Sequence, residues 1–103
     1  MIYVVATIEL NEGQRAAFLN EFQKLAPQVR AESGCLEYVA AIDEPTSIPI
    51  QEQPRANAVV VMEKWASVEA LEAHLIAQHM VEYRQRVKDK VQATRLQILK
   101  PVE

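Results

Sequence analysis

The side chains able to move protons or hold a metal ion are few, and most of them lie in the second half of the chain. His74 and His79 are the only histidines. Five residues on an unbroken helix turn through about 140°, so the two rings are expected to diverge. A zinc pair on one helix needs i and i+4 spacing, as in H-E-x-x-H, and Glu72 and Glu82 complete no familiar ligand set. No metal site is therefore expected. Ser33, Ser47 and Ser67 sit where turn, loop and cap residues sit, and there is no Gly-x-Ser-x-Gly elbow. With 2 glycines in all, the chain has neither a phosphate loop nor a dinucleotide fingerprint. Cys35 is the single cysteine, so no internal disulfide can form, and a buried, inert thiol is its default role.

What is left is an aromatic, histidine and carboxylate cluster. Glu63 and Trp65 lie two apart on an expected strand and so point to one face. His74 follows Leu71 by three residues and sits at the edge of a helical apolar stripe. Tyr83 is nine residues further, two and a half turns, and shares the face of His74 only if the helix breaks. One reading is an apolar pocket with a few polar groups that bind and deprotonate a flat aromatic molecule. The other is plain core: Trp65 packed, His74 a satisfied boundary residue, Glu63 an ion-pair partner of Arg55 or Arg95. Spacing alone leaves both open, and aromatics at these periods more often mark core.

The elements that must position this cluster follow from hydrophobic periodicity. Ile2, Val4, Ala6, Ile8 and Leu10 alternate with mixed residues, which predicts a strand over Ile2 to Leu10. Asn11-Glu12-Gly13 ends it. Gln14 to Glu32 reads as a helix with Phe18, Phe22, Leu25 and Val29 on one stripe, and Pro27 predicts a kink or break after Leu25 or Ala26. Gly34 is placed to act as a left-handed cap. A second strand runs from Cys35 to Ile42, with Leu36, Tyr38, Ala40 and Ile42 expected on one face. The stretch from Asp43 to Asn57 carries Pro45, Pro49 and Pro54 and is long for a hairpin; it is either an ordered excursion or a flap over a site or a partner. Ala58 to Trp65 is apolar on both faces and is expected to be a central strand covered on both sides. Ser67 is the expected N-cap of a second helix that continues through Met80, Tyr83, Val87 and Val91, with a discontinuity near Ala77 to His79. Thr94 to Leu99 is the last strand, stopped by Pro101.

Strand, helix, strand, strand, helix, strand is the split βαβ order, an α+β ferredoxin-like fold with a four-stranded antiparallel sheet and both helices on one face. The first and third strands are expected in the middle. The other sheet face would be left apolar and open, which predicts a dimer. The 103 residues form one domain, 1–103. At a net charge of −3, with no cluster of Lys and Arg, no nucleic-acid or anionic-membrane partner is expected. No signal peptide or membrane span is read from the sequence, and the cysteine usage is compatible with the cytosol.

Longer segments carry a family resemblance. Glu63-Lys64-Trp65-Ala66-Ser67-Val68-Glu69-Ala70-Leu71-Glu72-Ala73-His74-Leu75 resembles the E-x-W…L-x-x-H segment of the antibiotic-biosynthesis monooxygenase superfamily. Gly34-Cys35-Leu36-Glu37-Tyr38 resembles its G-C-x-x-Y segment. His79-Met80-Val81-Glu82-Tyr83, the ending Leu96-Gln97-Ile98-Leu99-Lys100-Pro101 and the proline-bearing insert resemble the bacterial quinol monooxygenase branch. The resemblance implies a homodimeric α+β barrel that oxidises a quinol or polycyclic phenol with dioxygen, with no metal, flavin or other cofactor. It implies Trp65 stacked on the substrate, His74 as the base and Glu63 as a positioning carboxylate, with Tyr38, Met62, His79 and Tyr83 as substrate-binding wall. Haem-degrading relatives use an Asn in the first strand, where this chain has Thr7 and its neighbours; another branch processes small sugar phosphates and needs a basic site. A binding or stress-response domain of the same fold without chemistry is the other class of reading.

Overall fold

The apolar alternation of the first strand is seen directly in the computed structural model, which describes all residues 1–103. In β1 (Ile2–Leu10), Ile2, Val4, Ala6, Ile8 and Leu10 are buried. The elements that follow are α1 (Arg15–Arg30), β2 (Cys35–Ala41), β3 (Ala58–Trp65), α2 (Val68–Leu75), α3 (Gln78–Val87) and β4 (Val91–Leu99). The sheet order is β2-β3-β1-β4, antiparallel throughout. The first and third strands are therefore central, as the split βαβ order requires. The core lies between one sheet face and the helices, where Phe18, Phe22, Leu25 and Val29 of α1 meet Val4, Val59, Val61 and Trp65.

Four local features refine the periodic reading. First, α1 runs unbroken through Pro27. Pro27 faces solvent, so the carbonyl of Gln23 that loses its amide partner can be hydrated, while Leu25, Ala26 and Val29 hold the last turn in the core. Second, β2 and β3 shift register between Cys35 and Glu37. This bulge reverses the parity of Leu36, which is exposed while Tyr38 is buried. Third, the second helical stretch is two helices, and the discontinuity expected near Ala77 to His79 falls at Ile76 and Ala77. Fourth, Val91 belongs to β4, opposite Leu10, rather than to the helix.

Two turns are fixed locally, one by a hydrogen bond and one by sterics. Ser67 caps α2 by accepting from the Ala70 amide at 3.1 Å. Gly34 has φ +84°, and a Cβ there would lie 2.6 Å from Ala70 Cβ, so the turn before β2 admits only glycine. The close approach seats the end of α1 against α2.

Residues 43–57 form an irregular excursion. Arg55 closes its base, with its amide and Nε both donating to Asp43 Oδ2 at 2.8 Å and Nη2 to Oδ1 at 2.9 Å. Gln51 donates to the Glu44 carbonyl at 2.7 Å and accepts from the Thr46 amide at 3.1 Å. β3 is central, but only one of its faces is covered within the chain. The other carries exposed Met62 beside Val39, with Tyr3 and Leu99 exposed on the same face.

Candidate active site

A cavity of about 440 Å³ opens between the helices and the inner sheet face, within the size range of small-molecule sites. β1 supplies Ala6 and Ile8 to its wall, β2 Tyr38, and β3 Val61 and Glu63. β4 supplies Thr94 and Leu96, α1 Phe18, α2 His74 and Leu75, and α3 Met80, Tyr83, Arg84 and Val87. Most of the lining is apolar; its polar groups are Glu63, His74, Thr94, Arg84 and Lys88, with the phenols of Tyr38 and Tyr83.

His74 is 2% exposed. Its Nδ1 lies 2.9 Å from Glu32 Oε2 and 3.2 Å from Oε1. An ionised carboxylate only accepts, so Nδ1 carries the hydrogen and the Nε2 lone pair is left free. Nε2 has no protein partner, and no buried side-chain nitrogen or oxygen lacks one. Nε2 is therefore reached from the cavity that His74 lines. Burial lowers the pKa of His74 below its ordinary value, and the hydrogen bond and charge of Glu32 work against that shift.

Glu63 is 6% exposed. Burial pushes its carboxyl up to about 7, with the charge of Glu32 adding to the rise; the Trp65 hydrogen bond opposes it. Trp65 Nε1 donates to Glu63 Oε1 at 2.9 Å. Burial also raises both the Tyr38 and the Tyr83 phenols, so neither tyrosine is a base near neutrality. Tyr38 stacks on Phe22 with centroids 5.2 Å apart and meets the His74 ring edge-on at 5.5 Å. Tyr83 packs edge-on against Phe18.

The sequence-predicted residues thus divide. His74, Glu63, Tyr38 and Tyr83 meet at the cavity. Trp65, expected to stack on a substrate, is fully buried and does not line it; its ring tilts against His74 at 4.7 Å, behind the wall. Met62, expected in the wall, points the opposite way, because strand alternation places it on the open sheet face. His79 does not reach the cavity either. The break after α2 turns it toward His74 instead, and its Nε2 lies 2.6 Å from Glu32 Oε2. The divergence expected of the two histidines is overturned by that break. Arg55 and Arg95 pair with Asp43 and Glu9, not with Glu63. No residue of 43–57 lines the cavity, so the excursion is not a flap over this chain's own site. Glu32 and Arg84 were not legible in spacing: Glu32 meets its partners 42 and 47 residues away. No three His, Cys, Asp or Glu side chains are arranged to hold a metal ion.

A family model for antibiotic biosynthesis monooxygenase matches residues 1–86. The chain belongs to the antibiotic biosynthesis monooxygenase family. The Escherichia coli (strain K12) protein named probable quinol monooxygenase YgiN is 36% identical over 103 residues, covering 98% of each chain. The fold agrees with PA3566 from Pseudomonas aeruginosa at TM-score 0.81 and 24% identity, covering 99% of this chain and 94% of that one. A crystal structure described as an antibiotic biosynthesis monooxygenase superposes at TM-score 0.82 and 19% identity, covering both chains fully. Family membership supports a monooxygenase-type function on a small molecule. No helix of the chain is long and apolar enough to cross a membrane.

Proposed function

We propose that this monooxygenase oxidises a quinol or polycyclic phenol with dioxygen, using electrons from the substrate itself. The observation that carries the reading is His74: its ring is held from behind by Glu32, with its free nitrogen facing an apolar cavity. The quinol substrate class is supported by the 36% identity to the Escherichia coli relative.

In this reading the phenolic O–H lies against His74 Nε2 and gives it the proton. The phenolate passes one electron to dioxygen, and the resulting radical pair couples at a ring carbon that bears hydrogen. Glu63, poised near 7, protonates the distal peroxide oxygen. Loss of the ring C–H proton to the Glu63 carboxylate breaks the O–O bond. The departing hydroxide takes the proton stored on His74. Phenol plus dioxygen thus gives quinone plus water, and both residues return to their starting states. Tyr38, Phe18 and Leu96 supply apolar wall, and water exclusion protects the radical pair. Trp65 acts from behind the wall as a positioning residue for Glu63 and His74.

A second copy of the chain would cover the open sheet face that carries Tyr3, Val39, Met62 and Leu99, giving a homodimer. Burying this apolar face removes the exposed patch that a monomer would carry.

The test is oxygen uptake with a panel of quinols, menadiol among them. His74→Ala is expected to lower turnover by about 10²-fold or more with unchanged circular dichroism. If the variant keeps both the rate and the pH profile, His74 is not the base and the mechanism fails.

A further inference from the structure

Glu32 lies outside the cavity wall, yet its Oε2 is shared by two imidazoles, His74 Nδ1 at 2.9 Å and His79 Nε2 at 2.6 Å. The side chains of His74, Glu32 and His79 are 2%, 13% and 24% exposed, so the three form a line from the cavity to solvent. We propose that Glu32 and His79 form a positioning unit behind His74. Glu32 fixes the ring with its Nε2 lone pair toward the cavity. His79, by competing for the same carboxylate oxygen, sets how firmly His74 holds a proton. The proposal deepens the mechanism above and rests on it only for the source of that proton.

The physical case is one of charge. A single carboxylate neutralises one imidazolium well and two poorly, so protonation of one ring disfavours protonation of the other. The other titratable and charged groups that line the cavity with His74 are Tyr38 from β2, Glu63 from β3, and Tyr83, Arg84 and Lys88 from α3 and its end, with Cys35 beside Glu32. The Arg84 guanidinium is held to the Leu75 carbonyl at 2.8 Å and, like His79, opposes positive charge on His74; Glu32 favours it. The arrangement depends on the interruption at Ile76 and Ala77. On a continuous helix the two rings would not meet one oxygen. It depends equally on Gly34, whose tight packing on Ala70 carries the end of α1, and so Glu32, to the α2–α3 junction.

The test reads the ring nitrogens of both histidines by long-range ¹H–¹⁵N NMR across a pH titration of the full chain, with no substrate present. Wild-type His74 is expected in its neutral form as the Nδ1–H tautomer. Glu32→Gln keeps an acceptor for Nδ1–H but removes the charge, and is expected to shift the His74 midpoint to lower pH. His79→Gln removes the competing positive charge and is expected to shift that midpoint to higher pH. Opposite displacements support the unit. A wild-type Nε2–H tautomer, an unmoved midpoint in both variants, or displacement in the same direction overturns it. Should Glu32→Gln fail to fold, the His79→Gln titration and the wild-type tautomer still decide, because His79 is partly exposed. In oxygen uptake, the acid limb of the pH profile should follow the His74 midpoint in each variant. A protein that turns over no quinol but shows the opposite shifts retains the unit and loses the mechanism; the converse result separates them the other way.

Discussion

Replacing Glu63 by Gln should stabilise the fold at neutral pH, and the size of the effect follows from the burial of the carboxyl. Glu63 is 6% exposed and its pKa is about 7, against about 4.5 in the unfolded chain, so the folded state binds the proton more tightly. Its contribution is therefore most favourable below about pH 4.5 and is lost as pH rises through 7. Each pKa unit is worth 1.36 kcal/mol, so a displacement of about 2.5 units makes the ionised form cost about 3 kcal/mol above pH 7. Gln keeps an oxygen for the Trp65 N–H, now 2.9 Å from Glu63 Oε1, and cannot ionise. Urea unfolding of both proteins from pH 4.5 to 8, at one fixed protein concentration, should show Glu63→Gln gaining about 3 kcal/mol on the wild type, most of it between pH 4.5 and 7. A difference between the two that stays constant across that range would refute the assignment of a perturbed carboxyl. The same substitution removes the proposed acid of the oxygen chemistry, so turnover should fall while stability rises.

Other perturbations separate the parts of the structure. Gly34→Ala forces a side chain into φ +84° with its Cβ 2.6 Å from Ala70 Cβ, and should cost about 2 kcal/mol or more in thermal unfolding. Adding Ala70→Gly should recover the overlap but not the backbone strain, so only part of the loss returns. Met62→Glu places a charge on the open sheet face without touching the cavity. Light scattering should show the proposed dimer of the wild type shifted to monomer, and an unchanged mass would mean that this face is not the interface. Asp43→Asn weakens the contact that holds Asp43 well below the usual carboxylate range through Arg55. Amide exchange should rise across residues 43–57 while quinol turnover stays within twofold, since none of them lines the cavity.

The sheet was legible because its signal is local. Alternation in Ile2 to Leu10 specifies an inward face, and the split βαβ order then places β1 and β3 in the centre; the two-faced apolar run in β3 marked a central strand but not that one of its faces stays uncovered within the chain. The same logic failed where one residue breaks the count. Leu36 was expected beside Tyr38, but the bulge between Cys35 and Glu37 turns it outward, and no periodic rule announces an extra residue. Pro27 erred in the other direction. Its missing N–H costs little where the orphaned carbonyl faces water, and that depends on which side of α1 meets the core, not on proline itself.

The site was legible only in part, because parity gives the face of a side chain and not its depth. Glu63 and Trp65 do share a face, as their spacing requires, yet one lines the cavity and the other lies wholly behind it. The burial of Trp65 makes it a support: its indole N–H holds Glu63 and its ring packs against His74. Spacing was misleading for the histidines, since the five-residue separation that excludes a shared face on one helix permits it across two. Once α2 ends at Leu75 and α3 begins at Gln78, His74 and His79 can converge on Glu32, a residue that looks like an ordinary helix-end carboxylate in the sequence. His74, Glu32 and His79 are thus brought together by an interruption. In the proposed mechanism, that makes the geometry of the α2–α3 junction, more than the identity of any one wall residue, the feature on which proton handling at His74 depends.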